Sequence, residues 1–567
     1  MKTLLFLTFL VTNAYSKRVA IIGGGVSGTF VAKYLSDFDT NCTLSTVEIF
    51  DPLPIGEPVS VSTKPDFDWQ GSRVSSLKLK DGTIVELGAS VAFNGFRLVK
   101  NMIDADDSVE IGDAHNAGPT RTDDTTRDGI GIYNGNGVWS LLTSNTPSFL
   151  SALLLSWRYN IDLWTMSRAS NIMQQGLERI HGWLNSTYPT TFFDSPDAMW
   201  NAAELLLPAH ISFDDFLDAL GLPRELQWWR RFLPYQGSLR EELLTAINLC
   251  NYNQANSQVN GLVGVGSFVS AKVKLWSIIG GNTKIVKSAF QQAQNTSRAH
   301  CGKSGVVRHV PKQVTSVIAD LESMELFSET ESLGYYDVVV LAAPIQQSRM
   351  SFLIKSDKDS AVLHDMPLFG DSISMEEKET EDLQSLTPTK LPESISRPYT
   401  QVITTVISNA TLEASHFLMQ EHELPRGIYM TEKGREEEFG ITAISQLTSD
   451  GVYKIFSGNV LEERTLSTLF GNGYVVEYTK VWGGQYGGAT PDYRGEGASI
   501  KYTMYDSSSQ VEGFRGSVLY YPNAIEASFA CMELSAIGAK SVARLASRRL
   551  GMLVHQENLS DSIGNEL

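Results

Sequence analysis

Apolar and polar positions change their spacing several times along the chain, and each change predicts an element. Arg18-Val19-Ala20-Ile21-Ile22 carries four consecutive apolar residues. A run of that length predicts a strand buried on both faces, as in a parallel sheet. A glycine turn follows. Phe30, Val31, Tyr34 and Leu35 then fall on one stripe of a helix predicted over 29–36. Val47-Glu48-Ile49-Phe50-Asp51 predicts a second strand, closing a β-α-β unit of about 30 residues. Farther on, Phe213, Phe216, Leu217 and Leu220 lie at i, i+3, i+4 and i+7 of a short helix over 212–221. Ser212 and Asp215 suit its N-terminal cap, Gly221 its stop, and Pro223 lies just beyond. The region 150–250 as a whole is rich in Trp, Leu and Phe, including Trp228 and Trp229, and reads as a helical subdomain with bulky apolar faces. Strand character returns over 306–344, where Val338-Val339-Val340-Leu341 leads into Ala342-Ala343-Pro344. Residues 355–398 are polar and acidic, with Glu376, Glu377, Glu379 and Glu381 clustered, and predict a surface insertion. A polar tail after Leu550 is expected to fray. No internal repeat is visible.

The chain has 567 residues, more than one hydrophobic core usually serves, so at least two domains are expected. Its 42% hydrophobic and 19% charged residues exclude a disordered chain. Acidic residues outnumber basic ones by 64 to 46, a net charge of −18. That balance argues against nucleic acid or an anionic membrane as a non-specific partner. The first residues read as a signal peptide. Lys2 supplies the positive start, residues 4–11 the apolar run, and Ala14-Tyr15-Ser16 a small-x-small cleavage site. That run is too short to span a bilayer, and no later run is long enough. Cysteines stand at 42, 250, 301 and 531. Their spacing supports neither a zinc site nor a dithiol motif, and leaves any disulfide pairing open. Asn41, Asn185, Asn295, Asn409 and Asn558 each begin an Asn-x-Ser/Thr sequon, so glycosylation is expected along a secretory route.

The candidate chemistry lies in Gly23-Gly24-Gly25-Val26-Ser27-Gly28, a Gly-x-Gly-x-x-Gly loop between the first strand and the first helix. Gly23 permits the tight turn, Gly25 lets the backbone approach a pyrophosphate, and Gly28 lets the helix close onto the strand. The helix N-terminus then offers unpaired N–H groups to the phosphates. Asp51, at the end of the second strand, is placed to accept hydrogen bonds from a ribose diol. The loop does not by itself separate NAD from FAD. A secreted chain favours FAD, which is bound during folding and retained.

Further segments resemble known flavoproteins. Gly71-Ser72-Arg73-Val74 is similar to the Gly-Gly-Arg stretch of the glutathione-reductase-like superfamily, with Ser72 in place of the second glycine. Glu86-Leu87-Gly88-Ala89-Ser90 resembles its Glu-x-Gly stretch. Asn251-Tyr252-Asn253-Gln254, Leu275-Trp276 with Gly280-Gly281-Asn282, Lys454-Ile455-Phe456-Ser457, and Tyr520-Tyr521-Pro522-Asn523-Ala524-Ile525-Glu526 with Met532-Glu533-Leu534-Ser535-Ala536-Ile537 resemble the prenylcysteine oxidases, also called prenylcysteine lyases. This resemblance runs from Arg18 to about Ser547.

The resemblance implies an α/β fold: a glutathione-reductase-like FAD-binding Rossmann domain with a second, mixed helix-and-sheet substrate domain. The expected pieces are 17–100, 265–350 and 490–548 for the FAD domain and 101–264 with 351–489 for the substrate domain, followed by the tail 549–567. Gly23, Gly25, Gly28, Asp51, Arg73, Gly88, Asn523 and Glu526 would bind FAD. Tyr252, Gln254 and Trp276 would line the pocket. The implied activity is cleavage of S-farnesyl- or S-geranylgeranylcysteine with O2 and water, giving a prenyl aldehyde, cysteine and H2O2, in a lysosome or vacuole or outside the cell. No side chain is singled out as catalytic, and no metal is expected. Two alternatives stay open: a flavin amine or polyamine oxidase, and a secreted flavin-binding protein without catalysis.

Overall fold

The computed structural model describes residues 17–552 apart from 61–72, 114–128, 143–147, 186–190, 225–231, 233–235, 349, 355–398, 483–489, 492–499 and 511–515. The signal segment, Ser72, Trp228, Trp229, the acidic insertion, Asn558 and most of the polar tail lie outside the described residues.

The apolar runs become the centre of a six-stranded sheet. Its strands are β1 (Lys17–Ile22), β2 (Leu44–Phe50), β3 (Val307–Val310), β4 (Val338–Leu341), β5 (Thr503–Asp506) and β6 (Val518–Tyr520). The order is β3-β2-β1-β4-β6-β5, with every neighbouring pair parallel except β5 against β6. All four residues of β4 are buried, and so are Val19 to Ile22 of β1. Strands covered on both faces need continuous apolar runs, which is what the sequence supplies. Helices α1 (Val26–Phe38), α2 (Thr283–Cys301) and α3 (Met532–Arg549) pack together, α1 touching both others. The helix predicted over 29–36 begins three residues earlier, because its first turn is built on the glycine loop itself. Phe30, Val31 and Leu35 are fully buried, each contributing about 1.5–3 kcal/mol of apolar transfer.

A seven-stranded sheet forms the second unit, in the order Val475–Val481, Ile403–Ser408, Tyr453–Ser457, Ile441–Gln446, Gly427–Met430, Ile130–Tyr133 and Trp139–Leu142. It has its own core, including Phe417, Ile428, Ile455 and Leu469. The helices between residues 148 and 272 belong elsewhere. Tyr159, Met166, Trp200, Phe213 and Val263 share one continuous core with the six-stranded sheet, so the packing crosses the expected boundary between the domains. Ser351–Ile354 likewise pairs with Ser316–Ala319, extending that arm past the expected limit at 350.

Local signals hold where they were strongest. The helix expected over 212–221 is Phe213–Ala219, and the Ser212 hydroxyl accepts from the Asp215 N–H while donating to its carboxylate at 2.7 Å. Gly221 follows at φ +75°.

The open question of cysteine pairing is resolved by proximity. Cys42, just before β2, is bonded to Cys301 at the end of α2, with Cα atoms 5.4 Å apart and 259 residues between them. Cys250 and Cys531 remain thiols, and burial pushes both up to about 12. A cross-link over so long a loop stabilises mainly by constraining the unfolded chain. Replacing Cys42 and Cys301 by Ser should lower unfolding free energy by about 2–5 kcal/mol, read as a fall in denaturant midpoint with an unchanged far-UV spectrum. An unchanged midpoint would show that the bond contributes nothing.

Candidate functional site

The carboxyl ends of β1, β2, β4 and β6 converge, and the chain reverses direction across the sheet between β1 and β4. Such a switch point leaves a crevice outside the strand ends. Gly23 turns out of β1 at φ +106°, a conformation L side chains rarely adopt. A Cβ there would also stand 3.1 Å from the Ala342 backbone at the end of β4. Five residues on, a Cβ at Gly28 would fall 1.9 Å from the Gly23 carbonyl oxygen. Only glycine allows α1 to lie that close to β1. Gly25 is the N-cap of α1 and provides no side-chain cap, so the first-turn N–H groups are left for an anion.

Asp51 stands one residue beyond β2. Its Oδ2 accepts the Gly24 N–H at 2.7 Å and its Oδ1 the Leu53 N–H at 2.9 Å. Burial raises its pKa, and the two N–H groups work against that rise. Each oxygen keeps a lone pair for a further donor, so the carboxylate fits a ribose diol beside the loop. Asn523 closes the crevice from the far side of the chain. Its amide donates to the Ala342 carbonyl at 3.2 Å, and its Oδ1 is buried with no partner among the described residues. Buried acceptors are rarely left so; the atom fits a ligand N–H or O–H. Gly23 and Asn523 thus meet on one residue, Ala342.

Arg73 is held by an ion pair to the closing segment. Its guanidinium pairs in fork geometry with Glu526, the second contact being Nη1 to Oε2 at 2.8 Å. The Glu526 side chain is 2% exposed. Burial opposes the guanidinium charge, but Glu526 outweighs it and raises the pKa. The pair fastens the 70s segment to the 520s segment. Glu526 therefore positions the Arg73 guanidinium.

Gly88 approaches the second sheet: a Cβ there would stand 3.2 Å from the Trp482 ring. Its carbonyl accepts from the Lys454 ammonium at 3.1 Å, as does that of Glu86 at 3.1 Å, while Ser90 Oγ accepts at 2.7 Å. The buried Glu86 carboxylate accepts from Ser76 Oγ at 2.5 Å and the Asn282 N–H at 2.6 Å. Lys480 lies 4.1 Å over the Trp482 ring. Burial lowers both lysines, with Glu86 opposing it, and brings Lys480 down to about 7. Sequence reading did not single out this cluster. The signal was present in Val475–Val481, where strand alternation places Lys480 inward with Tyr478.

Tyr252 ends the helix Thr245–Tyr252; its hydroxyl donates to the Ala530 carbonyl at 3.3 Å, and its ring meets Phe529 edge-on at 6.5 Å. Gln254 donates to Thr400 Oγ1 at 2.5 Å. Trp276 lies in Leu275–Ile278, paired with Ala92 and Asp113, its buried Nε1 without a partner among the described residues. Tyr252 therefore adjoins the closing segment. Asn41, Asn185, Asn295 and Asn409 are all exposed.

The chain matches a family model described as Prenylcysteine lyase over residues 143–364 and 373–560, well over half its length. The protein belongs to the prenylcysteine lyase family. Prenylcysteine oxidase 1 of Rattus norvegicus is 24% identical over 584 aligned positions, covering 98% of this chain and 94% of the relative. Farnesylcysteine lyase of Arabidopsis thaliana is 21% identical over 560, covering 96% and 90%. Among solved structures, a redesigned putrescine oxidase superposes with a TM-score of 0.50 at 12% identity, covering 94% of this chain and 99% of the other. That likeness is one of fold. Membership makes this lyase-family chain an oxidoreductase, with a flavin as its class of cofactor.

Two outcomes test the site. Gly25→Val should give folded but colourless protein, and Asp51→Ala should weaken cofactor retention by about 1.5–3 kcal/mol per lost hydrogen bond, both read from flavin absorbance after gel filtration. Full colour in folded Gly25→Val would rule out this cradle. The second concerns Lys480. Its folded pKa lies below the unfolded value near 10.4, so between about pH 7 and 10 the unfolded chain holds the extra proton and stability rises with pH. The stability difference between wild type and Lys480→Met should therefore shift in favour of wild type by about 2–3 kcal/mol from pH 7 to 9. Parallel pH curves in urea titrations would refute it.

Proposed function

We propose that this lyase-family protein is an FAD-dependent thioether oxidase that cleaves S-farnesyl- or S-geranylgeranyl-L-cysteine with O2 and water to a prenyl aldehyde, cysteine and H2O2. The observation that carries the reading is the crevice at the β1–β4 switch point, with Gly23, Gly28 and Asp51 shaped for a dinucleotide in a chain of this family. The glycine loop at β1 supports the narrower reading of a glutathione-reductase-like FAD domain. The disulfide and the exposed sequons support a route through the secretory pathway to a lysosome or vacuole, or out of the cell.

Bound FAD supplies a hydride acceptor. The α1 N-terminus would hold its pyrophosphate, Asp51 its ribose, and the Asn523 Oδ1 one of its donors. The carbon to be oxidised is both allylic and next to sulfur, so loss of hydride leaves a cation shared with a sulfur lone pair and a double bond. No strong side-chain base is required for that step. Water adding to the same carbon gives a hemithioacetal, which collapses to aldehyde and thiol. The task left to the chain is to hold a long apolar tail and present one carbon. Tyr252, whose ring meets Phe529 edge-on, would form an aromatic wall for it.

Yellow protein given farnesylcysteine and oxygen should release farnesal, cysteine and H2O2 in equal amounts. Deuterium on the carbon next to sulfur should slow anaerobic bleaching of the flavin. Hydrolysis would give farnesol without oxygen uptake, and sulfoxidation would release no thiol. Turnover of spermine in place of farnesylcysteine would favour a polyamine oxidase instead.

A further inference from the structure

In the sequon Asn41-Cys42-Thr43 the middle residue is itself a cysteine, and that cysteine is bonded to Cys301. None of the other four sequons has a cysteine inside it. The fold holds this tripeptide tightly. Asp39, which follows α1, is buried and accepts the Thr43 N–H at 2.7 Å and the Leu44 N–H at 3.1 Å. The Thr43 carbonyl accepts the Lys17 N–H at 3.1 Å. Cys42 stands at φ +56°, a left-handed conformation that costs a non-glycine residue about 1–3 kcal/mol and persists only where its surroundings over-determine it. Of the three residues, Asn41 alone is exposed.

An enzyme that glycosylates Asn41 has to take the whole Asn-x-Thr tripeptide into its own groove. Here both backbone polar groups of Thr43 are committed and the middle side chain is cross-linked. The folded corner therefore cannot be taken up, although the Asn41 side chain faces solvent. Acceptance belongs to the chain before the corner closes. Cys301 follows Cys42 by 259 residues, which at a synthesis rate of about 5–20 residues per second is roughly 10–50 s. Cys250 emerges before it. Disulfides form over seconds or longer, so modification of Asn41 and pairing of Cys42 overlap in time. The order matters in one direction only. A glycan on exposed Asn41 leaves Cys42 Sγ free to reach Cys301, whereas the closed disulfide excludes the transferring enzyme.

We propose that Asn41 carries an N-linked glycan whose attachment is gated by the redox state of Cys42. The proposal rests on the secretory route given above. In the transfer, Asn41 Nδ2 bonds to the anomeric carbon of a lipid-diphosphate-linked oligosaccharide, the carbon–oxygen bond to the diphosphate breaks, and the amide loses one proton. Closing the gate takes two electrons and two protons from the thiols of Cys42 and Cys301. A disulfide of an oxidising protein partner accepts them and becomes a dithiol.

The test measures glycan occupancy of Asn41 by mass spectrometry of peptides from the full chain made in cultured animal cells, with Asn295 as the internal reference. Diamide, a thiol oxidant, added during synthesis should lower occupancy of Asn41 about twofold relative to Asn295 by speeding closure. Dithiothreitol should raise it to the level of Cys42→Ser, which keeps an Asn-Ser-Thr acceptor and should respond to neither reagent. Cys250→Ser/Cys301→Ser leaves the sequon intact and removes the two nearer partners, so it should also hold its occupancy in diamide. Occupancy is set during synthesis and is read whether or not a variant folds. An Asn41 that stays bare in every variant would overturn the proposal. So would a wild type indifferent to both reagents, or a Cys42→Ser chain that follows diamide as wild type does. If Asn295 is bare as well, the secretory route falls with it; if Asn295 is modified, only the gating falls.

Discussion

The contact on which the molecule depends is the approach of α1 to β1. A side chain at Gly28 has no room, because the Gly23 carbonyl stands where its Cβ would be. That closeness lets Phe30, Val31 and Leu35 be fully buried between the sheet and the helices α2 and α3. It also sets the α1 N-terminus at the mouth of the switch point, where Asp51 is tied to the Gly24 N–H. Packing and site thus rest on the same absent methyl group. A cofactor cradle built this way is part of the core and inherits its rigidity.

Around that point, segments remote in sequence are held together by polar contacts in apolar surroundings. Arg73 and Glu526 are 453 residues apart and form a two-contact ion pair. Removing one partner of such a pair strands a buried charge, at about 3–5 kcal/mol, whereas the intact pair adds little net stability. Its value lies in fixing where the 520s segment sits. Glu86, Lys454 and Lys480 do the same where the seven-stranded sheet meets the small three-stranded sheet that ends in Glu86. Lys454 reaches from the seven-stranded sheet to the carbonyls of Glu86 and Gly88. Two buried amines beside one carboxylate cannot both keep their charge cheaply, which is why burial pulls both lysines down.

Apolar surface organises the other side of the protein. The helices between 148 and 272 fill the space next to the closing segment with bulky side chains, and the longest of them keeps Trp157 and Trp164 on its outer face. The thioether oxidation proposed above needs no cluster of acids and bases; it needs a cradle, a wall and an orientation. In that proposal the first would come from β1, β2 and β4, and the second from Tyr252 and Phe529.

The sequence by itself determined β1, β4, the glycine loop, Asp51 and the capped helix at Phe213–Ala219. Each of these is encoded within a few residues: a continuous apolar run, a steric need for glycine, a hydroxyl three residues before a backbone N–H. Membership of the family was legible too, because its motifs are short and linear. The tertiary structure alone decided that Cys42 pairs with Cys301, that Arg73 is held by Glu526, and that Asn523 meets Gly23 on Ala342. It alone decided that the helical region shares its core with the parallel sheet. Those facts depend on chain separations of hundreds of residues, and local pattern carries no record of distance across a core. The inward lysines lie between the two cases. Alternation in Val475–Val481 marks Lys480 as facing inward, but a buried ammonium is so costly that only the presence of Glu86 from another segment makes the position tenable.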